Sequence, residues 1–307
     1  MHKGRRGNEL IVIPAQAGIH LSAAEIVDAW VPAFAGMTKV HRILREPSAP
    51  SALRCFFLFL AAMLFTLPAH ALCGGPVADG GGRLWRAAAQ AEKAVAITFL
   101  GHASFLVESP EGVRIVTDYN GMILAPVTPD IVTMNNAHPT HYTDAVEPGV
   151  KYVLRGWNPS GGLAVHNLQY RDVRVHNVPT NLRDFGATRY NGNSIFVFEA
   201  ADLCIAHLGH LHHTLTPTHL EELGQIDIVM VPVDGALTLN QEEMISVLQQ
   251  IKPAIVIPMH VFTAGRLDRF LARAAEHYQV RHMPDPKILV SRADLPAEPE
   301  VRVLPGR

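Results

Sequence analysis

Cysteine is scarce: 3 of 307 residues, too few for disulfides to serve as the framework of the fold. Aromatic side chains make up only 7% of the chain and charged ones 18%. Neither sign of charge is in excess, with 26 Lys and Arg against 28 Asp and Glu, so no global field favours a nucleic-acid partner. The chain has no internal repeat, no low-complexity tract and no phosphate-binding glycine loop. Ser104 lies in "GHASF", which lacks the first glycine of a nucleophile elbow and does not lead into a helix. What is abundant is apolar residues, 48%, enough for a sizeable core, and histidine, 17 residues. Thirteen of the histidines follow residue 71, and six of those fall within 138–141 and 207–213.

The first seventy residues differ in character from the rest. Residues 1–71 carry a net charge of +3 and residues 72–307 a net −5. Cys55–Leu67, "CFFLFLAAMLFTL", is an apolar stretch of 13 residues, short of the roughly 20 that span a membrane. Arg42, Arg45 and Arg54 precede it and "PAHA" follows before Leu72, the layout of a cleaved secretory signal. Upstream, "IVIPAQAGIHLSAAEIVDAWVPAFAGMT" resembles the translation of a dispersed intergenic repeat of bacterial genomes. The expected organisation is therefore a non-native extension over 1–36, a signal peptide over 37–71 beginning at Met37, a linker with a short helix over 72–94, and one domain over 95–307. Export to the periplasm or medium follows, with membrane attachment only if the signal stays uncleaved. In an oxidising compartment Cys73 and Cys204 can pair; the alternative is that Cys204, in an apolar run, is an ordinary buried thiol.

Along the mature chain, "AVAITFL", "ASFLVES" and "VRIVTDY" read as successive strands, the last two joined by Glu111-Gly112. "DIVTM", "YVLRG", "LAVHNLQ", "VRVHNV", "NSIFVFEA" and "LCIAHL" add further strands between 130 and 208. Thr216-Pro217 opens one helix and Asn240 caps "QEEMISVLQQI". "IDIVMVPV" and "PAIVIPMH" are apolar strands around that second helix, and 266–277 is amphipathic. The pattern predicts an α+β fold with mixed sheets covered by helices.

His138 and His141 follow a strand; His207 and His210 end another, with His212 and His213 close behind; His260 ends "PAIVIPMH". Imidazoles at strand ends are held by a rigid sheet while facing solvent, the usual setting for metal ligands. In order, "ITFLGHASFLVES…VRIVTDY", the His loop, "GNSIFVFEAADLCIAHLGHLHH", "IDIVMVPVDG" and "IVIPMH" resemble the metallo-β-lactamase-fold hydrolases, particularly the branch similar to ascorbate-6-phosphate lactonase. The resemblance covers about residues 95–262 and implies a four-layer αββα sandwich with a metal site where strand-end loops meet.

The chain departs from that family's motifs at definite places. Asn136 stands at the first His of H-x-H-x-D-H and Thr140 at its Asp; His210 replaces the bridging Asp, and His212 a Gly. The resemblance implies His138 and His207 from one metal site and His141 and His260 from the other, with His210 a competent substitute. Losing the bridging carboxylate disfavours two cations about 3.5–4 Å apart, so one zinc ion is expected; other divalent transition metals also accept imidazole. Three imidazoles leave a fourth position for water, whose pKa falls toward about 7. Asp234 and His213 are the candidate proton acceptors, and His102 and Asp118 match positions expected to orient the ligands. Arg155, Arg183 and Arg189 are candidates for an anionic substrate. The expected function is metal-dependent hydrolysis of a small ester, lactone, amide or phosphoester; the alternative is a non-catalytic protein that binds a metal or ligand on the same fold.

Overall fold

The computed structural model describes Cys73, residues 93–184 and residues 186–306. The expected extension, signal peptide and short helix lie outside the described residues. Two sheets form the body. The first has the order β13-β1-β2-β3-β4-β5: β1 is Ala94–Gly101, β2 Ser104–Glu108, β3 Arg114–Val116, β4 Ile131–Met134, β5 Tyr152–Arg155 and β13 Lys287–Ser291. The second has the order β12-β14-β11-β10-β9-β8-β7-β6: β6 is Asn167–Tyr170, β7 Val173–Asp184, β8 Ala187–Ala200, β9 Leu203–His207, β10 Ile228–Pro232, β11 Ile255–Met259, β12 Gln279–His282 and β14 Glu300–Val303.

The alternation of the strands explains the layers. Val95, Ile97, Phe105, Val107, Ile115 and Ile131 of the first sheet meet Val173, Val175, Phe196, Phe198, Met230 and Ile257 of the second in one apolar core. The opposite face of the second sheet, including Val197, Val229, Val231 and Val256, is covered by three helices. These are α1 (Pro217–Leu223), α2 (Gln241–Ile251) and α3 (Ala264–Ala274). Thr216 caps α1 in a capping box with His219, and Asn240 accepts from the Glu243 amide at 3.0 Å at the start of α2. Leu223, Met244, Val247, Leu248, Phe270 and Leu271 are among their buried residues.

The α+β sandwich expected from the pattern is the observed architecture. Its outer layer on the first sheet is, among the described residues, not a helix. The loops on either side of β4 and β5 lie there instead, Ile123, Val127, Tyr142, Val146 and Trp157 packing on Leu106, Val116, Val132 and Met134. The β7–β8 hairpin is longer than predicted, because Pro179, Asn181 and Gly192 hide a pairing that runs from Arg174↔Glu199 to Asp184↔Ala187 with one register shift. Strands β12 to β14 fall outside the segments the pattern predicts: β12 and β14 have few apolar residues, and β13 is a short run, "KILVS". Cys73 and Cys204 form a disulfide with Cα atoms 6.0 Å apart, which joins the chain ahead of the first sheet to the inner strand β9. Among the described residues no helix is long and apolar enough to cross a membrane.

Candidate metal centre

The parallel strands β3, β4, β9, β10 and β11 all end near one edge, and β1 turns back there. Each delivers a histidine or aspartate just past its last residue. His102 sits in the β1–β2 turn, Asp118 after β3, His138 and His141 in the loop after β4, Asp234 after β10 and His260 after β11. The amide of His260 donates to the carbonyl of His102 at 2.7 Å, binding two of these turns together. His102, Asp118 and His260 have φ of 53°, 45° and 57°. Three non-glycine residues in the left-handed region at one sheet edge mark stored backbone strain, of order 1 kcal/mol or more each.

One nitrogen from each of His102, His141 and His260 lies within 4.8 Å of the other two. The ring centroids are 5.1 Å apart for His102 and His141, 4.5 Å for His102 and His260, and 5.3 Å for His141 and His260. Two of the three are anchored by carboxylates. His141 Nδ1 is 2.7 Å from Asp118 Oδ2, both side chains buried, and His260 Nδ1 is 3.0 Å from Asp234 Oδ1. A carboxylate can only accept, so each Nδ1 carries the proton and each Nε2 keeps its lone pair. Nε2 of His102 is buried without any hydrogen-bond partner, an orphan of the kind a cation would satisfy. Burial first, then the neighbouring His260 and His141, lower the His102 pKa to about 4. An uncharged orphan nitrogen and two anchored imidazoles fit a divalent transition metal. Nitrogens bound to one tetrahedral zinc lie about 3.4 Å apart, so the trio would draw in on binding.

The two carboxylates are bound up in this anchoring. Burial alone would raise the Asp118 carboxyl, but its electrostatic interaction and hydrogen bond with His141 hold it below its ordinary value. Its Oδ1 also accepts from the Asn135 amide, and Ser104 Oγ donates to the Asp118 carbonyl. Asp234 is likewise opposed by burial, yet His260, Thr238 and the amides of Ala236 and Leu237 hold it well below the carboxylate range. A carboxylate so stabilised is a poor proton acceptor, and its geometry assigns it to orienting His260. His213 is engaged too: Nε2 accepts from the Asn181 amide at 3.0 Å and Nδ1 donates to the Thr214 carbonyl at 2.8 Å.

The other residues singled out in the sequence take different places. His207 does not join the cluster. It is fully buried, its Nδ1 accepts from the Gly209 amide at 3.2 Å and its Nε2 donates to the Ala103 carbonyl at 2.8 Å, so neither nitrogen is left for a metal. His138 stands at the margin, 5.9 Å from the His141 ring, with Nδ1 2.8 Å from Thr140 Oγ1. His210 lies against the cluster, 4.9 Å from the rings of both His141 and His260, with Nδ1 2.7 Å from His212 Nε2. The reading from motifs placed His102 among the orienting groups, whereas the structure sets it inside the trio. The available signal was its position directly after a strand, the same feature that drew attention to the other histidines. Arg155 is paired with Asp144 at 3.0 Å. Arg183 Nη2 donates to the Thr238 carbonyl at 2.8 Å. Arg189 forms no ion pair among the described residues and its charge bears on His138 and His212. Phe262, half exposed, packs 4.8 Å from His260 and 5.6 Å from His102 as an apolar lip.

The chain is similar to proteins described as metal-dependent hydrolases. A protein of Carboxydothermus hydrogenoformans described as a UPF0173 metal-dependent hydrolase is 28% identical over 195 residues, covering 54% of this chain and 84% of that one. A similarly described protein of Thermococcus onnurineus is 28% identical over 193 residues, 55% and 85% of the two chains. The crystal structure of a Thermotoga maritima protein described as a candidate zinc-dependent hydrolase of the metallo-β-lactamase superfamily superposes with a TM-score of 0.52 at 30% identity. It covers 69% of this chain and all of that one. The family model for the beta-lactamase superfamily domain matches residues 96–260. That match begins inside β1 and ends on His260, the strand-end histidine of the cluster, and the chain belongs to the beta-lactamase superfamily.

Proposed function

We propose that the protein is an exported metal-dependent hydrolase that holds one divalent cation, zinc by preference, on His102, His141 and His260. The observation that carries this reading is the unpartnered buried Nε2 of His102 facing two imidazoles whose Nδ1 protons are fixed on Asp118 and Asp234. Zinc held by three histidines polarises a carbonyl or phosphoryl oxygen and lowers the pKa of bound water. The chain's own residues supply the rest. Asp118 and Asp234 keep the two rings in the ligand tautomer, and the His260–His102 backbone bond fixes the relative placement of their turns. Phe262 shields one side of the trio from water. Arg189, with no carboxylate partner among the described residues, favours a substrate bearing negative charge. A small ester, lactone, amide or phosphoester with an anionic group is the substrate class that fits.

The Cys73–Cys204 disulfide supports export, since such bonds persist in oxidising compartments. A non-catalytic metal-binding role is the alternative, favoured by the engagement of Asp234 and His213, which leaves neither of the two expected proton acceptors free. The test is metal analysis of the purified protein followed by assays on esters, lactones and phosphodiesters with the wild type and His260→Ala. One equivalent of zinc with turnover abolished in the variant is expected. Zinc bound with no turnover on any substrate would favour the binding role, and no bound metal at all would overturn both.

A further inference from the structure

His210 occupies the place where the family carries a bridging carboxylate, and its hydrogen bonds decide what it can offer there. The backbone amide of Arg183 donates to His212 Nδ1 at 2.8 Å. An amide can only donate, so Nδ1 of neutral His212 carries no proton and Nε2 does. That Nε2 lies 2.7 Å from His210 Nδ1, which must accept, and the proton of neutral His210 is thereby placed on Nε2. The His210 amide is itself held by Asn193 Oδ1 at 2.9 Å, and Gly209 before it leaves no room for adjustment, since a Cβ there would lie 2.4 Å from Asn135 Nδ2. Nε2 of His210 has no hydrogen-bond partner among the described residues and is not sealed from solvent. The ring stands edge-on to both His141 and His260, at 64° and 82°.

The arrangement is the reverse of the one that prepares the ligands. Carboxylates beneath His141 and His260 turn a lone pair toward the centre; a chain of donors beneath His210 turns a proton there. We infer that His210 is not a fourth metal ligand but a fixed hydrogen-bond donor to an oxygen of the bound substrate, held in its donor tautomer by His212 and the Arg183 amide. His210 is the residue that touches substrate, and His212 is a positioning residue. The inference rests on the metal-site reading for its substrate role, while the tautomer itself does not depend on metal.

The tautomer is directly measurable in the full 15N-labelled protein by long-range proton–nitrogen correlation of the imidazole rings, with His210→Gln used to assign the signal. In the metal-free protein, His210 is expected in the Nε2-protonated form alone. On adding cadmium-113 its nitrogens should show no coupling to the ion, whereas Nε2 of His141 and His260 should. His210 protonated on Nδ1, or coupled to cadmium, overturns the inference. Loss of coupling at His141 and His260 instead would sink the metal site and leave the tautomer result standing. His212→Phe removes the relay while keeping a ring: His210 should then populate both tautomers, and inorganic phosphate used as a probe anion should bind the loaded protein about tenfold more weakly with metal content unchanged. A single unaltered tautomer in His212→Phe would refute the relay.

Discussion

A histidine's chemistry here is decided by what holds its other nitrogen. His141 and His260 each rest on a buried carboxylate, and weakening that support should weaken the site without removing a ligand. Asp118→Asn keeps the shape and an acceptor oxygen but loses the charge, and metal affinity should fall about 10- to 100-fold, read by competition with a chromogenic chelator. Affinity unchanged in this variant would mean that Asp118 does not orient a ligand. His207 makes the opposite case. Both its nitrogens are spent on Ala103 and Gly209 within the core, so His207→Ala should retain a full equivalent of metal while losing roughly 2–4 kcal/mol of stability in urea titration. Metal loss with stability intact would return His207 to the ligand set. The histidine positions were legible in the sequence, but the motif could not separate His102 from His207. That distinction rests on a carbonyl 104 residues away from His207 in the chain.

Among the elements, the loop from β9 to α1 and the disulfide carry most of the constraint near the site. Gly209 has a φ of 57°, and any Cβ would collide with Asn135 at 2.4–2.7 Å. Asn135 in turn donates to the Ser194 carbonyl at 2.7 Å, so it cannot withdraw without leaving a buried donor unpaired. Gly209→Ala should therefore cost about 2 kcal/mol or more and displace His210, seen as a lowered urea midpoint. The Cys73–Cys204 bond closes a loop of 131 residues, and replacing both cysteines by serine should lower stability by about 2–5 kcal/mol. A midpoint that does not move would show that the segment around Cys73 adds nothing to the fold. The strands that bear the site were readable because fully buried parallel strands such as "IVMVP" and "IVIPM" are continuous apolar runs. The far half of the β7–β8 hairpin was not, because exposed residues such as Thr188, Arg189 and Tyr190 carry no alternation.

Taken whole, the molecule buries several histidines in uncharged form. Burial lowers His102, His176 and His212 to about 4 and His210 to about 2, with nearby arginines or histidines adding to the effect. An unfolded histidine titrates near 6.5, so between about pH 6.5 and 4 the unfolded chain takes up protons that the folded one refuses. Stability of the metal-free protein is therefore full above that window and should fall on acidification through it, on the order of 3 kcal/mol or more by pH 4; urea midpoints at pH 7.5, 5.5 and 4.5 test the slope, and a flat profile would contradict it. The sequence by itself determined the α+β character, the order of the inner strands and the clustering of imidazoles at strand ends, because apolar runs and turn residues are local properties of the chain. Only the tertiary structure decided which imidazoles turn a lone pair inward, which turns a proton and which is locked in the core. Each ring's capacity belongs to one nitrogen, and the partner that fixes that nitrogen usually comes from a remote segment, as Asp118 does for His141 and Asp234 for His260.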